Sequence, residues 1–148
     1  MKLSQISDNK QSLITDIGLL WARISFGGMM LLAHGLGKFE NFGVYKSQFP
    51  DPLGIGHELS MGLAIFAELF CSIFLILGLG TRLALTQLIA TMSVAAFLVH
   101  ASDPFFASPG KASKEFALVY LSAFVFLFLA GPGRFSIDRL IVKKWGKK

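Results

Sequence analysis

The stretch "FALVYLSAFVFLFLAG", residues 116–131, has no charged side chain and no polar face. A helix of a soluble protein turns an apolar stripe to its core and charges to water. Here every side is apolar, so lipid is the fitting solvent. Three more runs read the same way. Residues 17–37 hold one charge, Arg23; residues 59–81 hold one, Glu68; residues 83–102 hold none. Each is near the roughly 20 residues that a helix needs to cross a bilayer. The composition agrees, with 53% hydrophobic and 16% charged residues, against about 25% charged in soluble domains. The expected fold is all-α, a transmembrane antiparallel four-helix bundle forming one domain over 1–148. Its helices are expected near 14–37, 58–79, 82–102 and 114–131, with polar tails at 1–12 and 139–148.

The net charge of +5 does not point to nucleic acid, because the basic residues sit at chain ends and between apolar runs rather than on one face. Their placement suits membrane orientation. Lys2, Lys10, Arg82, Arg134, Arg139, Lys143, Lys144, Lys147 and Lys148 fall on one side, and Lys38, Lys46, Lys111 and Lys114 on the other. That asymmetry predicts a multi-pass protein of the inner (cell) membrane with both termini cytoplasmic. The first apolar run is too long for a signal peptide, follows a mostly polar stretch and lacks an A-x-A-like cleavage site. It is expected to stay. A lone Cys71 excludes an internal disulfide and any CxxC pair. There is no Walker loop, no GxGxxG after a strand and no GxSxG. The partner implied by these features is the lipid bilayer, with homo-oligomerisation left open.

Ionisable groups within spanning segments are costly and usually face the bundle interior. Arg23 and Glu68 are expected at similar depth on antiparallel helices and so to form a buried ion pair. Along helix 1, Arg23, Gly27, Met30, His34 and Lys38 recur at spacings that define one face, and Gly27 permits close approach of a neighbour. That face ends at the outer membrane boundary. His57, His100 with Asp103, and Glu115 with Tyr120 one turn deeper reach the same boundary. The candidate ligand-binding set is therefore His34, Lys38, His100, Glu115 and Tyr120. Interfacial histidines satisfied by water or backbone carbonyls are the plainer alternative. A metal held by His34, His100 and Asp103 is a weaker one, since no H-x-x-x-H or HExxH pair occurs, and nothing specifies haem. A quinone suits the set better. It arrives through lipid, and its carbonyls need donors and a proton route, which His, Lys, Tyr and Glu supply.

The blocks "LLWARISFGGMMLLAHGLGKF", "AELFCSIFLILGLGTRLAL", "ATMSVAAFLVH" and "KEFALVYLSAFVFLFLAGPGRFSID" resemble, in order, those of the DoxX family of small bacterial and archaeal membrane proteins. The resemblance spans about residues 14–138. Its most specific pieces are Arg23 with His34, Gly35 and Lys38; Glu68 with Thr81 and Arg82; and Gly131, Gly133, Arg134, Ser136 and Asp138. It implies a four-helix transmembrane fold. The family name is tied to subunits of thiosulfate:quinone oxidoreductase, and other members to redox and oxidative-stress complexes. The function implied is a subunit or accessory of a quinone-linked redox process, with redox proteins as its partners. A non-enzymatic scaffold for partner proteins and a small-molecule carrier stand as alternatives.

Two turns complete the reading. "GLGTR" reverses the chain with Thr81 as the expected N-cap of the following helix. "AGPGRFSID" stops the last span at Gly131 and Pro132. Arg82, Arg134, Ser136 and Asp138 are then expected to form a cytoplasmic clasp, Asp138 partnering the arginines.

Overall fold

A computed structural model describes the backbone of residues 3–145 and the side chains of residues 12–145. Lys2, Lys147 and Lys148, counted above for orientation, lie outside the described residues, as does the side chain of Lys10. All regular structure among the described residues is helical. Helix α1 runs Leu3–Met30, widens into a π turn at Leu31–Gly35 and closes as Leu36–Glu40. A short α2, Phe42–Tyr45, follows. Helix α3 comprises His57–Ile65, a π turn at Phe66–Cys71 and Ser72–Leu77. Helix α4 comprises Thr81–Val94 and a π turn at Ala95–Val99. Helices α5, Glu115–Ala130, and α6, Ile137–Trp145, complete the chain.

Among the described residues, three stretches are long and apolar enough to cross a membrane: Ser12–Glu40, His57–Leu77 and Thr81–Val99. Helix α5 is as apolar but shorter, at 16 residues. Helix α1 packs on α3, α3 on α4, α4 on α5, and α5 back on α1. The shared core holds Met30, Leu75, Leu85, Leu88, Phe124 and Leu127. Lipid-type surface lies outside it, for Trp21, Leu83, Phe126 and Leu129 are largely exposed.

Glycines set the α1–α3 register. A Cβ at Gly27 would lie 2.8 Å from the Ile76 side chain and 3.4 Å from the Ser72 carbonyl. A Cβ at Gly35 would lie 2.7 Å from the Glu68 carbonyl and the Leu69 nitrogen. Backbone therefore touches backbone at Gly35, which puts Glu68 level with it. Arg23 is twelve residues earlier, about 18 Å at 1.5 Å per residue, too far for an ion pair. The expected Arg23–Glu68 pair does not form. Glu68 instead meets Lys38, three residues beyond Gly35, at 2.5 Å.

Arg23 belongs to the opposite end of the packed helices. It is fully buried and donates to the Phe135 carbonyl. A Cβ at Gly78 would collide with its guanidinium and lie 2.6 Å from the Ser136 Cβ. Asp138 faces the same spot. Its backbone N–H donates to the Gly78 carbonyl at 2.8 Å, and its carboxylate accepts from the N–H groups of Gly80 and Thr81 at 2.7 and 2.9 Å. The cap of α4 thus comes from a residue 57 positions away, not from Thr81, which already lies inside the helix. Asp138 does not partner the other arginines either. Arg134 pairs with Asp16 at 3.2 Å, and Arg82 lies over the Phe128 ring at 5.8 Å. Ser136 donates to the Gly133 carbonyl and accepts from the Arg139 N–H.

The expected tails are helical where described. The polar N-terminal stretch is helical from Leu3. Residues 137–145 form α6, with Ile137, Leu140, Ile141 and Trp145 at helical spacing and Arg139, Lys143 and Lys144 between them. A composition read as polar missed this periodicity.

Burial pushes the Asp138 carboxyl up, but the Thr81 and Gly80 N–H groups and the Arg23 charge outweigh it and hold it below its usual range. A carboxyl lowered by folding stabilises above its ordinary pKa, and the contribution is lost as pH falls through the folded value. Asp138→Ala should therefore cost about 0.5–2 kcal/mol at neutral pH, the scale of a lost cap. It should also flatten the acid limb of detergent melting curves. An unchanged acid limb in the variant would remove Asp138 from this role.

Candidate functional site

The π turns of α1 and α3 pack on each other, and that of α4 reaches one cavity with them through Ala95. Helix α4 also packs on the π turn of α3, and its own π turn touches α5. Such turns insert a residue, break the i→i−4 ladder locally and often occur at functional sites. They carry His34, Glu68 and Ala95 respectively.

The result is a cavity of about 350 Å³ whose lining includes Met30, His34, Lys38, Glu68, Met92, His100, Lys111, Phe116 and Tyr120. Residues 111–113, from the loop before α5, line part of it. The helix-1 face read from the sequence is confirmed, since Met30 is buried and His34 and Lys38 point into the same space. The His34 ring meets the Tyr120 ring edge-on at 5.6 Å and 88°. Tyr120 is braced by stacking on Phe124 at 5.8 Å. Neither the His34 imidazole nor the Tyr120 hydroxyl hydrogen-bonds to another described residue.

The Lys38–Glu68 pair forms one wall. The Glu68 side chain is 6% exposed and that of Lys38 27%, so the carboxylate is buried and the ammonium sits at the rim. Removing one partner of a buried pair costs about 3–5 kcal/mol, because the remaining charge is left alone. Long side chains such as Lys can reach from apolar surroundings to a wetter edge.

The structure divides the candidate ligand set. His34, Lys38, His100 and Tyr120 line the cavity; Glu115 does not. Its carboxylate accepts the Ala107 N–H at 2.8 Å, so it secures the loop over the cavity. Asp103 bonds His100 Nδ1 at 2.7 Å and also lies outside the lining. The metal trio His34, His100 and Asp103 is not assembled, and no metal-holding group of three or more His, Cys, Asp or Glu occurs among the described residues. His57 is elsewhere, bonded to the Phe49 carbonyl at 2.6 Å. Two lining features escaped the sequence reading. Lys111 had been counted only as an outer-loop charge, and Glu68 had been given the wrong cation. The glycine of "AHGLGK" was the available signal, since close helix contact there levels Lys38 with Glu68.

A second cavity, about 420 Å³, lies on the other side of the pair. It shares Lys38, Glu68, Ala95 and His100 with the first and adds Leu63, Ala90, Thr91 and Val94 from α3 and α4. Phe49, Pro50, Pro52 and Leu53 roof its outer end.

The family model named DoxX matches residues 18–101, a range containing His34, Lys38, Glu68 and His100. The chain belongs to the DoxX family. It is 31% identical to the inner membrane protein YqjF of Escherichia coli over 134 residues, covering 89% of this chain and 98% of that one. It is 30% identical to an uncharacterised membrane protein of Mycobacterium tuberculosis, covering 72% and 76%. An uncharacterised protein of Haemophilus influenzae is 32% identical, covering 78% and 84%. No solved structure matches. This DoxX-family chain is thus a membrane protein.

Proposed function

We propose that this DoxX-family protein binds a quinone-type carbonyl compound in the 350 Å³ cavity and serves a quinone-linked redox process as a subunit or accessory. The observation carrying this reading is the pairing of His34 and Tyr120, which share one cavity without a protein hydrogen bond for either polar group. A quinone oxygen needs hydrogen-bond donors and, on reduction, a proton. The Tyr120 hydroxyl and a His34 N–H are donors in reach of one small ligand. Imidazole is the side chain best suited to pass a proton near neutral pH. Lys111 supplies positive charge where the reduced oxygen gains negative charge. Electrons reach the quinone from a partner protein.

The membrane arrangement proposed with it is four spans with α5 as the last, packed on α1 and α4, and both termini cytoplasmic. The charge asymmetry supports it, and so does the apolar surface of α5. Cysteines placed at Lys46 and Lys111 should label from outside intact cells, and one at Lys144 only after permeabilisation. The reverse pattern would invert the topology.

Purification in mild detergent followed by solvent extraction should yield bound quinone from the native chain. His34→Ala and Tyr120→Phe should each reduce the yield while keeping the native melting temperature within a few degrees. Undiminished quinone in both folded variants would contradict binding in this cavity. No quinone in any preparation would leave the scaffold reading in its place.

A further inference from the structure

The polar cavity has a neighbour that the proposed reading does not use. The second cavity is mostly apolar, and Gln87, Ala90, Thr91, Val94 and Ala95 give it one wall at helical spacing along α4. From Gln87 to His100 that wall is thirteen residues, about 20 Å of helix. Ala90 is exposed on the outer surface, and Leu63 opposite is 50% exposed. The cavity is therefore an open groove on the lipid side, narrow where Ala64 and Ala90 leave room. At its outer end it meets the polar cavity at Lys38, Glu68, Ala95 and His100. Only the Lys38–Glu68 contact of 2.5 Å and the π turn of α4 separate the two.

We infer that the ligand has two parts, a polar carbonyl head in the inner cavity and a long hydrocarbon chain in the α3–α4 groove, and that it enters sideways from the lipid past Lys38. This rests on the quinone reading and extends it to the shape of the molecule and its path. Away from the residues it shares with the head cavity the groove has no charged side chain, so a loose acyl chain gains little there over bulk lipid. Continuity with the head cavity is what gives a chain a reason to lie in it. Lys38 suits the doorway, since its flexible stem can swing aside while Glu68 stays fixed by burial. Chain binding adds little hydrophobic energy within a membrane, so position is the proper readout.

The test uses the full chain in lipid nanodiscs and a benzoquinone whose decyl chain ends in a photoreactive diazirine. Cross-links should map by mass spectrometry to Leu63, Ala90 and Val94. Excess chainless benzoquinone should abolish them. Ala90→Phe, which fills the groove away from the head cavity, should abolish them too while binding of the chainless head persists. Labelling scattered over outward residues such as Leu83 and Phe126, with chainless competition intact, would overturn the groove and leave the head site standing. Labelling in the groove that chainless quinone does not compete would mark an ordinary lipid site and overturn the inference. Failure of chainless quinone to bind at all would sink both readings.

Discussion

The α1–α3 contact at Gly35 governs the half of the molecule that holds the two cavities. Without a Cβ there, α1 lies directly on the Glu68–Leu69 peptide. That contact fixes the height of Glu68 and brings Lys38 to it, so a carboxylate deep among apolar side chains keeps a counter-charge. Isolated charges in such surroundings are expensive. The pair also leaves polar atoms facing two cavities. The π turns follow the same logic, since each helix gives up ladder regularity beside the cavity that His34, Glu68 and His100 line.

The opposite end is organised separately. Arg23, buried beneath Gly78, finds charge in Asp138 and a carbonyl at Phe135. Asp138 simultaneously caps α4. One residue, through its carboxylate and its backbone N–H, therefore ties the start of α4, the end of α3 and the start of α6 to α1. Arg134 adds a tie to Asp16 on α1. The two ends carry their own cations and anions, which is why Arg23 and Glu68 are not paired with each other.

Much of this was legible in the sequence. The apolar runs revealed the helices and the membrane, and the stripe from Arg23 to Lys38 revealed the face turned inward. The pairing was not legible, because the register of two helices depends on where backbones touch. Gly27 and Gly35 carry that information only once their neighbours are known. The π turns have no composition signature. The cap from Asp138 is a contact across 57 positions, whereas sequence rules for caps look to the adjacent residue, here Thr81. Glu115 opens α5, but its preference for a loop N–H over the cavity depends on the fold of residues 103–114. Helix α6 was missed because charge content was weighed before periodicity.

The Lys38–Glu68 contact carries the site, and a lipid-soluble carbodiimide probes it directly. The reagent activates a carboxylate, and an amine in contact then forms an amide, detectable as a linked peptide pair by mass spectrometry. The exposed Lys46–Glu58 pair, at 2.7 Å, serves as the internal standard. The account predicts a Lys38–Glu68 amide in the native chain and its loss in Lys38→Met. A Glu68 that reacts yet never joins Lys38, while Lys46 joins Glu58, would contradict it.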